Sequence, residues 1–111
     1  MQPHKSIFRL LLCAVGLAVV ACAAGPPVQE MSDARQAIAA AREAGAATYA
    51  DAGLQSAEAR LAEAETQLTQ HMYWEARRLA VDSKNDAIDA LLRSRSLREA
   101  GAPAAPDAPR P

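Results

Sequence analysis

The sequence predicts an all-α fold: an Ala-rich helical hairpin or small three-helix bundle, with an N-terminal tether and a disordered, Pro-rich C-terminal tail. Three observations predict it. Half of the 111 residues are hydrophobic, yet only 4% are aromatic, and alanine supplies much of the apolar count. Alanine is the best helix former and a poor source of buried area, so the helices must pack closely around a thin core. Proline is absent from residues 28–102 and glycine occurs there only at 45, 53 and 101. Apolar residues within that stretch recur at spacings of three and four, the period of a helix with one buried face.

The chain divides into four parts: an export segment over 1–21, a linker over 22–29, a helical domain over 30–100 and a tail over 101–111. In the first part, His4, Lys5 and Arg9 give a polar to basic start, and Leu10 to Ala21 then runs without a charge. That run has the length of a signal-peptide core and is shorter than the roughly 20 apolar residues that span a bilayer. It stops at Val19-Val20-Ala21-Cys22. This resembles the lipobox of bacterial lipoprotein precursors, with an aliphatic residue at −3, a small one at −1 and an obligatory cysteine. The resemblance implies cleavage between Ala21 and Cys22, a diacylglyceryl thioether on Cys22 and acylation (palmitate or a similar chain) of its new amine. Two or more acyl chains anchor a protein stably where one does so marginally. Cys13 lies in the apolar run and is removed with it, so no free thiol is expected in the mature chain for a disulfide, a metal or a nucleophile. Ala23, and not Asp, follows the cysteine. In a Gram-negative cell obeying the enterobacterial sorting rule, that favours the outer membrane, with the domain facing the periplasm.

Gly25-Pro26-Pro27 reads as an extended tether, and Gly101 to Pro111 has the composition of a disordered tail. Between them, Ser32 or Asp33 is placed to cap a first helix whose apolar face is Ala34, Ile38, Ala41 and Ala44 or Gly45. A break is expected within Gly45–Gly53, and Thr48 with Asp51 three residues on forms a capping-box pattern for a second helix. That helix carries a heptad stripe at Leu54, Ala57, Leu61, Ala64 and Leu68. A third helix over 73–99 puts Ala76, Ala80, Ser83, Ala87, Ala90 and Leu91 on one side, with Val81, Ile88 and Leu92 widening that face. Without a turn near 70–72, residues 54–99 form a rod about 69 Å long with little to pack on. His71 tolerates the left-handed conformation better than most residues and is the expected end of the second helix.

Ala34-Arg35-Gln36-Ala37-Ile38, Ala41, Ala44-Gly45-Ala46 and Tyr49-Ala50, followed by Leu54, Ala57, Leu61, Ala64, Tyr73 and Glu75 to Ala80, together resemble a known family. It is a family of small bacterial lipoproteins known as domain of unknown function 4398, and the resemblance covers roughly residues 30–92. Asp51 stands where that family usually has proline, and His71 where it has glycine. The resemblance implies an exported helical domain and no enzymatic activity.

The residues themselves supply no catalytic set. Catalysis needs a base, a nucleophile or a metal held by convergent groups. His71 is the lone histidine after the export segment. Glu58 and Glu63 or Glu65 share a helix with Arg60, and such carboxylates are expected to make salt bridges or simply to face water. Ser83 has no base placed beside it, and no Gly-rich phosphate loop is present. No cofactor, metal or nucleic-acid partner is expected: loss of Lys5 and Arg9 moves the net charge from −1 to about −3, which is no basic footprint. The candidate partner contact is the Tyr73-Trp74 pair. Adjacent helical residues point about 100° apart. Either Tyr73 packs inward and leaves Trp74 free for a partner, or both clamp the turn, which is the simpler expectation. The expected role is a structural or adaptor module of the cell envelope, membrane-bound through its lipid and binding an envelope protein. The alternative is a self-assembling coiled-coil spacer built on the Leu54–Leu68 stripe.

Overall fold

A computed structural model describes residues 3–11 and 25–103. Residues 3–11 form a helix, α1, exposed along its whole length. Four more helices follow: α2 (Val28–Glu43), α3 (Ala46–Tyr49), α4 (Asp51–Thr69) and α5 (Tyr73–Glu99). Helices α2, α4 and α5 make a three-helix bundle. Met31 of α2 meets Ala64 of α4 and Leu79 and Ala80 of α5, whereas Ile38 lies with Leu54 and Ala57 and with Ala87 and Ala90. Thus α2 and α5 run the same way and α4 runs against both. Helix α5, about 40 Å long, is the common partner of the other two.

Each boundary has a local cause. Pro27 is fully buried and its carbonyl accepts from Met31 N–H at 3.1 Å, so α2 starts at Val28, ahead of the expected Ser32 or Asp33 cap. Those two side chains instead bond within the helix, Asp33 accepting from Gln29 at 2.8 Å and Ser32 from Gln36 at 3.3 Å. Gly45, at φ 91°, ends α2 in the left-handed region that glycine enters without a Cβ penalty. One turn of helix, α3, fills the expected break, and Ala50 at φ −146° separates it from α4. The Thr48–Asp51 capping box does not form: Ala50 occupies the cap, and the Asp51 carboxylate accepts from Gln55 at 2.7 Å.

Helix α4 closes at His71, which sits at φ 59°. His71 N–H bonds Leu68 O and Met72 N–H bonds Gln67 O, both at 3.0 Å. This is the Schellman pattern with histidine in the usual glycine position, and it satisfies carbonyls that the helix end leaves open. A continuous rod over 54–99 is therefore not formed. The same pattern ends α5 at Gly101, φ 66°, with Gly101 N–H on Arg98 O and Ala102 N–H on Leu97 O.

The core is made mostly of alanine. Ala34, Ala41, Ala46, Ala57, Ala64, Ala76, Ala80 and Ala87 are fully buried, and among the described residues the large apolar side chains sunk among them are Met31, Ile38, Leu54 and Leu79. Small side chains let helix axes approach, so dispersion between close backbones replaces area from bulky groups. Gly53 marks a close approach of α4 to α5: a Cβ there would lie 3.3 Å from Ala90 Cβ. Ser83, also fully buried, donates to Ala57 O at 2.6 Å and so bonds α5 to α4. Ser94 is buried too and donates to Ala90 O at 2.7 Å. The Leu54–Leu68 stripe is used inside the molecule, with Leu54, Ala57 and Ala64 buried and Leu61 and Leu68 packed against the core.

Candidate functional site

The residues most able to meet a partner lie on α5, on the side turned away from α2 and α4. At its first turn Tyr73 and Trp74 part company. The Tyr73 hydroxyl is 2.9 Å from His71 Nδ1, and the two rings stand edge to face with centroids 5.8 Å apart. Tyr73 therefore clamps the α4–α5 turn. Trp74 does not, contrary to the simpler expectation: it is 73% exposed. The inward positions of the first turns belong to Ala76, Leu79 and Ala80. A residue about 100° away from Tyr73 and opposite that trio has nothing to pack on.

The same geometry corrects the expected core. Ala76, Ala80, Ser83, Ala87 and Ala90 are buried as predicted, and Leu79 and Ser94 join them. Val81, Ile88 and Leu92 do not widen that face; they are 40%, 37% and 55% exposed. On a helix of 3.6 residues per turn, Trp74, Val81, Ile88 and Leu92 fall within about 40° of one another, nearly opposite Ser83. Apart from the buried Leu79, helix α5 thus carries small residues inward and a row of large apolar ones outward.

Charged groups frame this row and stitch the bundle. Arg60 of α4 reaches Asp86 at 2.8 Å and Asp82 at 3.3 Å, and Ser56 donates to Asp86 at 2.6 Å. Arg42 pairs with Glu58, and Arg35 with Glu65 at 3.0 Å, so these two α4 carboxylates serve as bridge partners. These pairs are exposed, and each contributes about 0–1 kcal/mol. Arg78 bonds Glu75 at 2.8 Å, and that hydrogen bond, followed by the charge itself, pushes its guanidinium above the usual arginine value. Arg98, one of the three arginines near the end of α5, donates to Ala44 O at 3.1 Å and so covers an open carbonyl at the end of α2.

An open groove of about 780 Å³ runs beside α3 between α4 and α5, over Gly53 and Ala90. Asp51, Asp86, Asp89 and Arg93 line it together with Tyr49, and no imidazole or thiol does. Among the described residues no group of three or more His, Cys, Asp or Glu side chains is placed to hold a metal ion. No helix among them is long and apolar enough to cross a membrane.

Ala21 and Cys22, the expected cleavage and lipidation positions, lie outside the described residues, as do residues 104–111 of the tail. The described residues resume at Gly25, three residues after Cys22. Arg77 of α5 donates to Gly25 O at 2.9 Å and to Glu30 at 3.0 Å, which draws residues 25–29 onto the bundle. The expected linker over 22–29 is thereby shortened at its C-terminal end. Val81, Ile88 and Leu92, expected in the core, face outward; the successive spacings of seven, seven and four residues from Trp74 to Leu92 are the signal the sequence carries for this. Comparison with family models, with curated proteins and with solved structures gives no match to this chain.

Proposed function

We propose that the chain is a lipid-anchored, non-enzymatic helical module of the cell envelope that works by binding protein. One observation carries this reading: the complete order of basic start, apolar run, Val19-Val20-Ala21 and Cys22 ahead of a helical domain. The resemblance to domain of unknown function 4398 in residues 30–92 points the same way. Within the described residues several carboxylates are engaged by arginines or by neighbouring amide and hydroxyl groups, and Ser83 is spent on a backbone carbonyl, which fits a binding role better than a catalytic one.

The clasp at Gly25 adds an orientation. From Cys22 to Gly25 the chain reaches at most about 11 Å. Acyl chains on Cys22 then hold the α2 start and the α4–α5 turn, which lie at the same end of the bundle, close to the bilayer. Helix α5 leads away from the membrane and presents its outer face sideways. In a Gram-negative cell the membrane is the outer one and the bundle stands in the periplasm.

The test is mass spectrometry of the protein from its native cells, together with fractionation of a Cys22→Ser variant. A diacylated Cys22 as the first residue, and release of the variant from the membrane fraction, are expected. An unmodified Met1 start, or a variant that still fractionates with membrane, overturns the reading.

A further inference from the structure

We infer that the outer face of α5 is a dimer interface and that its occupant is α5 of a second copy of this chain, running parallel to the first. The proposal concerns a surface of the folded bundle and does not depend on the lipid anchor.

The exposed residues of α5 follow a seven-residue repeat. Trp74, Val81 and Ile88 share one position of the repeat, and Arg78, Asn85 and Leu92 share the position four residues further on. These are the d and a positions of a two-stranded seam. Trp74, Val81, Ile88 and Leu92 are exposed, as large apolar residues rarely are in one line. The flanks separate by sign. On the e side stand Glu75, Asp82 and Asp89; on the g side stand Arg77, Lys84 and Leu91.

This sorting selects the orientation. In a parallel pair each g residue meets the e residue five places further along the partner, so Lys84 faces Asp89 of the other copy, twice by symmetry. An antiparallel pair sets e against e and g against g, bringing carboxylate to carboxylate. Half-buried Lys84 and exposed Asp89 make no ion pair among the described residues, so the two-fold pairing gives each a partner of opposite charge. Arg78 occupies an a position, but its guanidinium is drawn off the seam towards Glu75 at 2.8 Å and Asp82 at 3.7 Å. Asn85 is the one uncharged polar residue among the a positions. A single seam asparagine favours two strands in register over other arrangements, because it is satisfied only against its own counterpart.

A short seam is adequate here for a physical reason. Residues 74–92 span about 27 Å, under three heptads, and free peptides of that length fold marginally. Helix α5 is already built by its inner face, so association carries no cost of forming the helix.

The experiment is sedimentation equilibrium of the full chain in density-matched detergent under reducing conditions, with circular dichroism as the check on folding. The wild type is expected at twice the single-chain mass at micromolar concentration. Ile88→Asp is expected at the single-chain mass with unchanged helical signal. Lys84→Glu is expected to weaken the dimer about tenfold, and Lys84→Glu with Asp89→Lys in the same chain to restore it. Cys22→Ser is expected to keep the doubled mass, so a failed anchor and a failed dimer give different results. A wild type at single-chain mass overturns the proposal, and its stripe then serves another occupant. An Ile88→Asp variant that stays doubled moves the interface elsewhere, and a charge exchange that fails to restore association rejects the parallel arrangement.

Discussion

The two faces of α5 invert the usual relation between side-chain size and burial. Apart from Leu79, its inner face is small, with Ala76, Ala80, Ser83, Ala87, Ala90 and Ser94, and its outer face holds Trp74, Val81, Ile88 and Leu92. The outer face holds the larger apolar side chains, interleaved with Arg78 and Asn85. The bundle nevertheless closes on the small residues, because α5 must lie against two helices at once and a serine bridges to one of them at 2.6 Å. Closeness of backbones decides which face is inside, and area left outside is available to a partner.

The sharpest way to break this comparison is to enlarge the inner face. Ala87 is 0% exposed in the cluster with Ile38, Leu54 and Ala57. Ala87→Leu is expected to cost about 3 kcal/mol by overpacking, read as a lower midpoint in urea unfolding; an unchanged midpoint would mean that the interior has room and that size does not set the face. Ser83→Ala sharpens the same point. It removes the bond to Ala57 O without adding volume, and a loss of about 1 kcal/mol is expected in the same assay. His71→Gly relieves a left-handed non-glycine residue at the turn and is expected to raise stability by up to about 1 kcal/mol. A decrease would show that the His71–Tyr73 ring pair outweighs the backbone. The smallest effect belongs to the outer face: Trp74→Ala should leave the midpoint within about 0.5 kcal/mol in dilute solution, where association does not contribute. A drop of 2 kcal/mol there would place Trp74 in the monomer's packing.

Much of this fold is legible in the sequence because its signals are local. The spacing of Ala76, Ala80, Ser83, Ala87 and Ala90 marks the buried side of α5, and His71 marks the turn through its tolerance of positive φ. Other features depend on distant partners. Helix α2 gains its first turn from Arg77, which lies 52 residues beyond Gly25. Val81, Ile88 and Leu92 read as core by hydrophobicity alone, and their exposure follows only once α2 and α4 are seen to share the opposite arc. At the candidate site, the 100° offset between Tyr73 and Trp74 is readable in advance. Which of the two turns outward is not, since the Tyr73 hydroxyl finds its partner only after His71 has adopted its turn conformation.

Arg77 has a mechanical consequence. It clasps the Gly25 carbonyl and the Glu30 carboxylate from a neighbouring helix, so tension on the chain ahead of Gly25 does not simply peel α2 open one turn at a time. The load passes sideways into α5, the longest strut of the bundle, where resisting it requires several contacts to yield together.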